Sequence, residues 1–250
     1  MNRVILTFLF VVCSGSYIFS QSSSLIGPQG LILTPTAHTM PDGQIKFGYS
    51  KLNAPDIFIK WGDETTQNHL FYSTLVFIPQ LEFSGLLTFA PGTSGNDGSD
   101  TYKDLAVFAQ YHILKETAKR PGITLGLWDF HSYSYYNALF AVFTKKITNS
   151  HHYKIYSHMG YGVDWIDTHW GDVSVEDRSA FVPHHLVGVF GGIELKYQEI
   201  ATLMLEYDTS KFNAGIRFFL FDTIDLNVTA MGFKTFCFGI HYRFSLLSSN

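Results

Sequence analysis

Phe236-Cys237-Phe238-Gly239-Ile240-His241-Tyr242-Arg243-Phe244-Ser245-Leu246 alternates without a break. Phe236, Phe238, Ile240, Tyr242, Phe244 and Leu246 fall on one face, and Cys237, Gly239, His241, Arg243 and Ser245 on the other. A period of two is the signature of a β-strand, whose successive side chains point to opposite sides. One face is wholly apolar and rich in aromatics, and the other is small or polar. The stretch is also long. Strands of soluble proteins run to about five or six residues, whereas a tilted strand needs about 9–11 to cross a bilayer.

The same rhythm extends upstream. Ile224, Leu226, Val228 and Ala230 oppose Asp225, Asn227, Thr229 and Met231. Phe212, Ala214, Ile216, Phe218 and Leu220 oppose Asn213, Gly215, Arg217 and Phe219. Leu203, Leu205 and Tyr207 oppose Thr202, Met204, Glu206 and Asp208, and near the start Ile45, Phe47 and Tyr49 oppose Lys46, Gly48 and Ser50. Alternation predicts strands near 43–53, 68–77, 80–91, 102–114, 121–131, 135–146, 152–163, 185–195, 198–207, 211–220, 222–232 and 236–246. The two ends differ: at one, 54–67, 92–101 and 164–184 are long and 132–134, 208–210 and 233–235 are short, while at the other 78–79, 115–120, 147–151, 196–197 and 221 are all short. Short periplasmic turns opposite longer outer loops are the habit of outer-membrane barrels. The predicted fold is all-β: a single antiparallel transmembrane β-barrel of about twelve strands over 43–246. A soluble barrel with its faces reversed has the same alternation. Strand length, the bulky aromatic face and an export signal favour the membrane.

That signal is residues 1–20. Arg3 supplies a positive start, Val4 to Val12 form a short apolar core, and Ser14, Gly15, Ser16 and Ser20 lead to a cleavage point before Gln21. This is the pattern of a cleaved secretory peptide. Val11 and Val12 before Cys13 do not make a lipobox. Cleavage leaves Cys237 alone, so the mature chain has no internal disulfide. Aromatics make up 16% of the chain and charged residues 15%, against about 25% charged in soluble domains. The net charge of −4 gives nucleic acid no basic patch.

Lipid offers backbone groups no hydrogen bonds, so the sheet must close and its polar face must look inward. Lys46, Glu82, Glu206, Asp208, Arg217, His241 and Arg243 are therefore expected to form a polar network in the lumen, with Glu206 and Asp208 pairing with Arg217 and Arg243. Phe108, Met204, Phe219 and Met231 on the same face predict a largely filled lumen. Residues 21–42 read as an extended lead-in: Pro35 fixes φ and pushes Thr34 extended, and Pro41-Asp42-Gly43 is a turn. This segment either plugs the lumen or guards the seam at the first strand. Loop 164–184 offers Trp165, Asp167, His169, Trp170 and Asp172, whose rings and carboxylates suit carbohydrate contact; a solvated loop with interfacial Trp anchors accounts for them as well. No phosphate loop, CxxC pair, HExxH run or tight metal-ligand spacing occurs. No metal or cofactor is predicted. His131 with Ser132 and Ser134 has no specified base or orienting group, so no catalytic residue is assigned.

Three stretches carry a family resemblance. Gly30-Leu31-Ile32-Leu33-Thr34-Pro35-Thr36-Ala37, with Met40-Pro41-Asp42-Gly43 leading into Phe47-Gly48-Tyr49-Ser50, is the first. Arg120-Pro121-Gly122-Ile123-Thr124-Leu125-Gly126-Leu127-Trp128-Asp129-Phe130 is the second. Gly191-Gly192-Ile193-Glu194, then Leu205-Glu206-Tyr207-Asp208 and Asn213-Ala214-Gly215-Ile216-Arg217, is the third. Together they resemble the YjbH-like exopolysaccharide-associated outer-membrane proteins. The resemblance implies a barrel in the outer membrane of a Gram-negative bacterium linked to production or export of an exopolysaccharide. With no catalytic residue assigned, the leading reading is a non-enzymatic barrel that assists its production, secretion or surface assembly. Its partners would be outer-membrane lipid and the extracellular polysaccharide or its export machinery. A passive pore or structural barrel without a polysaccharide role and, third, a lipid-modifying enzyme are the other readings the residues leave open.

Overall fold

The computed structural model describes residues 23–53, 67–91, 101–130, 137–163, 185–221 and 223–246. Among them there is no helix, and twelve strands follow one another: β1 (Gln44–Leu52), β2 (Asn68–Ile78), β3 (Leu81–Pro91), β4 (Thr101–Leu114), β5 (Gly122–Trp128), β6 (Ala138–Asn149), β7 (Tyr153–Val163), β8 (Gly188–Tyr197), β9 (Ala201–Tyr207), β10 (Phe212–Leu220), β11 (Ile224–Met231) and β12 (Thr235–Ser245). Each pairs with its neighbours in sequence, and β1 pairs with β12, so the sheet is a closed barrel. The seam is antiparallel, with Lys46 opposite Arg243 and Gly48 opposite His241. Gly43, at φ 72°, turns the chain into β1, and there Leu246 N–H donates to its carbonyl.

All twelve expected strands are present, with ends shifted by up to three residues from the alternation reading, and two of the shifts have a plain local cause. β8 runs on through Lys196 and Tyr197, which face Thr202 and Ala201 of β9, and the turn comes after them, where Gln198 has φ 48°. Lys196 reads as a turn residue by polarity, but it belongs to the inward row of β8. β5 stops at Trp128 because Asp129 adopts φ 45°, a conformation that leaves the ladder. Register shifts interrupt β2–β3, β4–β5 and β6–β7 close to the short-turn rim, at Val76/Ile78, His112/Leu114 and Lys146/Thr148. Bulges of this kind cluster at barrel rims, where they bend strands without opening the sheet.

The orientation of the two faces separates a membrane barrel from a soluble one. Phe47, Phe71, Leu203, Leu205, Val228, Phe238 and Ile240 lie on the outside, and Phe236 is 70% exposed. Lys46, Glu82, Glu206, Arg217, Asp225, His241 and Arg243 are buried. In water, an apolar side chain left out of a core forgoes about 1.5–3 kcal/mol; against acyl chains it forgoes little. The exterior is therefore matched to lipid and the ionic side chains are enclosed.

Glycines make room for the aromatics that do point inward. Gly48, Gly126 and Gly160 stand directly opposite Tyr72, Phe140 and Phe190. Each ring lies over the facing glycine so closely that an added Cβ would come within 2.1–2.2 Å of it. Paired across neighbouring strands in this way, large and small residues interlock along the inner face of the wall.

Candidate functional site

The lumen holds the N-terminal segment. Residues 23–42 fold into two tight turns: Ser24 N–H donates to the Pro28 carbonyl at 3.0 Å, Leu25 N–H to Ile32 at 2.8 Å and Leu31 N–H to Thr34 at 2.9 Å. Leu25, Ile26, Leu31, Ile32 and Leu33 are buried and belong to the core cluster that continues into Leu70, Phe108, Trp128, Phe140 and Phe190 of the wall. The wall thins where the plug touches it. A Cβ added at Gly192 or Gly239 would meet Leu31 Cδ1 or Leu25 Cδ2 at 2.8 Å, and one at Gly215 would meet Ile32 Cδ1 at 3.2 Å. Of the two roles open to the lead-in, it takes the plug.

Buried charges fasten it. The Glu206 carboxylate accepts from the backbone N–H groups of Ile32, Leu33 and Thr34, each at 2.9 Å to Oε2, and from the Thr34 hydroxyl at 2.9 Å. Three successive N–H groups converging on one anion form a nest. Asn213 Nδ2 supports the same carboxylate at 3.2 Å. Glu82 Oε1 takes Gln29 N–H at 2.8 Å. Arg217 works with the opposite sign: its guanidinium donates to the carbonyls of Ser23 and Leu31, the latter at 2.8 Å, and to Asn227 Oδ1 at 2.8 Å. Wall anions thus hold plug N–H groups, and a wall cation holds plug carbonyls.

This differs from the expected pairing of Glu206 and Asp208 with Arg217. Glu206 and Arg217 bind the plug backbone instead of each other, because that backbone, folded into turns, has polar groups that would otherwise be buried without partners. Asp208 stays local, accepting from Ser210 N–H at 3.1 Å, Lys211 N–H at 3.0 Å and Asn213 Nδ2 at 2.8 Å. Arg243 pairs with Asp225 at 2.8 Å. His241 Nδ1 faces the other oxygen of Asp225 at 3.8 Å, and the charge of Lys46 faces Glu82 and Asp225. Asp225, Asn227 and Asn213 are therefore working members of the network that charge pairing alone does not single out. Their signal is their place on the inward row of β10 and β11.

At the short-turn rim the plug leaves along β6 to β8. Ala37 N–H donates to Thr144 Oγ1 at 2.8 Å. His38 Nε2 sits 2.5 Å from Glu194 Oε1, with its ring edge-on to Tyr156 and His158. Burial, with the Lys196 charge beside it, pushes the His38 imidazole down to about 4 against the pull of Glu194. His38, His158 and Glu194 were not singled out by sequence spacing, since they lie far apart in the chain. At the other rim Trp128 stacks on Phe108 with centroids 3.9 Å apart, and His185 meets Trp128 edge-on at 4.7 Å. A gap of about water size remains between plug and wall beside Glu82, Gln110 and Trp128. Trp165, Asp167, His169, Trp170 and Asp172, like His131, Ser132 and Ser134 and the signal segment, lie outside the described residues.

The stretches that carry the resemblance meet here. Leu31 to Thr34 come from the first, Trp128 from the second, and Glu194, Glu206, Asn213 and Arg217 from the third. A family profile described as "Exopolysaccharide biosynthesis protein YbjH" matches residues 22–250. A search of curated proteins gives no match. Among solved structures, the outer membrane protein Ail of Yersinia pestis, determined as a backbone structure in a phospholipid bilayer nanodisc, is similar at 12% identity, covering 80% of this chain and 97% of that one with a TM-score of 0.17.

Proposed function

The chain belongs to the YjbH exopolysaccharide biosynthesis family, and from that premise we propose that it is a non-enzymatic outer-membrane barrel, delivered by a cleaved signal peptide, that assists secretion or surface assembly of an extracellular polysaccharide. The observation that carries this reading is the plug. It is seated by hydrogen bonds from buried Glu206 and Arg217 and surrounded by a lipid-matched exterior. A permanently open pore has no use for a folded segment held by wall charges, and a purely structural barrel would be more stable with an apolar lumen. A reversible plug has a use for both, because hydrogen bonds to polar wall groups can be exchanged for water or sugar hydroxyls when the segment moves.

The test is a clean deletion of the gene in its native cell, complemented with the full chain or with Glu206→Ala/Arg217→Ala. The full chain should fractionate with the outer membrane and restore cell-surface polymer, while the double variant should alter the amount or the attachment of the polymer. Equal surface polymer in the deletion strain and its parent would remove the polysaccharide role, and recovery of the chain in the soluble periplasmic fraction would remove the membrane role.

A further inference from the structure

His38 from the plug, His158 from β7 and Glu194 from β8 bring one potential ligand atom each to within 4.8 Å of one another. His38 Nε2 is 2.5 Å, and His158 Nε2 3.7 Å, from the same carboxylate oxygen. The His158 ring is oriented from behind: its Nδ1 and Thr144 Oγ1 are 2.9 Å apart, and Thr144 also holds the plug at Ala37 N–H. Its Nε2, on a side chain that is 0% exposed, has no hydrogen-bond partner and is aimed at the cluster. A buried ring nitrogen held beyond hydrogen-bond reach of the carboxylate it faces calls for an explanation. A hydrogen bond at the far nitrogen is the usual second support of a metal-binding imidazole, fixing its tautomer and direction.

We propose that His38, His158 and Glu194 form a binding site for a divalent transition-metal ion, Zn²⁺ in the first instance, that latches the plug to the barrel wall. Two imidazoles and one carboxylate suit a borderline ion over Mg²⁺ or Ca²⁺, which take oxygen donors. Ligands about 2.0–2.2 Å from a tetrahedral ion stand roughly 3.3 Å from each other. The His38–Glu194 contact must therefore open by under about 1 Å, the His158–Glu194 contact close slightly, and the two ring nitrogens, within 4.8 Å of each other, draw together by up to about 1.5 Å. Lys196 Nζ lies 3.4 Å from the same Glu194 oxygen and competes for it. Its side chain is 14% exposed at the rim, and it already sits 5.3 Å from the Tyr156 ring, a cation–π position to which the ion would confine it. The fourth position opens beside His38, whose side chain is 16% exposed, and would take water. Because one ligand belongs to the plug and two to the wall, the ion would hold the segment in place. The inference does not depend on the polysaccharide reading.

The experiment uses the full chain folded in detergent, stripped with chelator, and dialysed against Zn²⁺ with metal counted by mass spectrometry. One ion per chain is expected. Affinity should fall by at least about tenfold in His38→Ala and in His158→Ala and stay unchanged in His151→Ala/His152→Ala, which removes the exposed pair at the neighbouring turn. Co²⁺ in place of Zn²⁺ should give the visible absorption of a four-coordinate site in the parent and lose it in His38→Ala. His38 lies off the barrel ladder, so His38→Ala decides the matter if His158→Ala fails to show a heat-modifiable band. Parent-like binding in His38→Ala, or metal lost only with His151 and His152, would mean adventitious ions only and would overturn the proposal.

Discussion

At Glu206 a single carboxylate satisfies three consecutive backbone donors of the plug. Truncation leaves those groups buried without their acceptor, and each such donor costs about 1–3 kcal/mol. Water entering the vacated space offsets part of this, so Glu206→Ala should loosen the segment by about 3–5 kcal/mol while the twelve-strand ladder persists. Hydrogen exchange read by mass spectrometry checks it: amides of 31–34 should lose protection and those of β9 and β10 should keep it. Unchanged protection at 31–34 would show that packing of Leu31, Ile32 and Leu33 seats the plug without Glu206.

His185 gives the outer rim a pH dependence of defined sign. Burial against Trp128 pushes its imidazole from an ordinary 6.5 down to about 4, opposed by the Asp208 carboxylate. The unfolded chain therefore binds this proton more readily than the folded one. The stability it contributes is intact above about pH 6.5 and is lost progressively as the pH falls toward 4, to a limit of about 3 kcal/mol. Unfolding midpoints in urea at pH 7.5 and 5.0 should differ less for His185→Gln than for the parent. An identical acid loss in both would place the titration on other groups.

At the scale of the strand, face decides the effect of a charge. Val228 is on the outside of β11, and its neighbours Asn227 and Thr229 are buried inside. Val228→Arg sets a guanidinium in the hydrocarbon and should destabilise the folded barrel by about 2–4 kcal/mol in lipid vesicles. Arg217, one strand away, is tolerated at 0% exposure because plug carbonyls and Asn227 surround it. If Val228→Arg unfolds at the parent's urea concentration in vesicles, the outer face does not meet acyl chains.

The strands were legible because alternation is a local property and each strand carries eight or so votes for its own period. Face orientation followed from physics, since a sheet in lipid has only one place for Lys46 and Glu206. The partners of those charges were not legible. Glu206 and Arg217 have opposite signs on adjacent strands, and pairing them is the economical guess, but it omits the backbone of a segment some 170 residues away in sequence. A plug without regular secondary structure leaves no periodic trace, so its unmet N–H and C=O groups cannot be counted from sequence. The His38, His158 and Glu194 cluster stayed hidden for the same reason: only closure of the barrel around the plug brings it together.

For the whole molecule, the barrel and the plug are separable in the hydrogen-bond ledger. The seam closes through β1–β12 pairing, and Gly43, just past the plug, already bonds to Val76 and Leu246. Removing residues 24–41 therefore leaves every strand pairing in place. It exposes Glu82, Glu194, Glu206 and Arg217, which lose their plug contacts and must hydrate. Ionic side chains in a lumen of this strand number draw water along the axis, because solvating them restores the several kcal/mol each that burial costs. The deletion variant should keep the heat-modifiable band of a closed barrel and conduct ions across planar bilayers in discrete steps, whereas the parent should be silent or open rarely. Adding Glu206→Ala to the parent should give intermediate behaviour, with brief openings as the segment unseats. A deletion variant that inserts and shifts on heating yet never conducts would show that side chains of the wall, led by Phe108, Trp128, Phe140 and Phe190, close the lumen unaided, and the plug would then be a brace for the wall and not its gate.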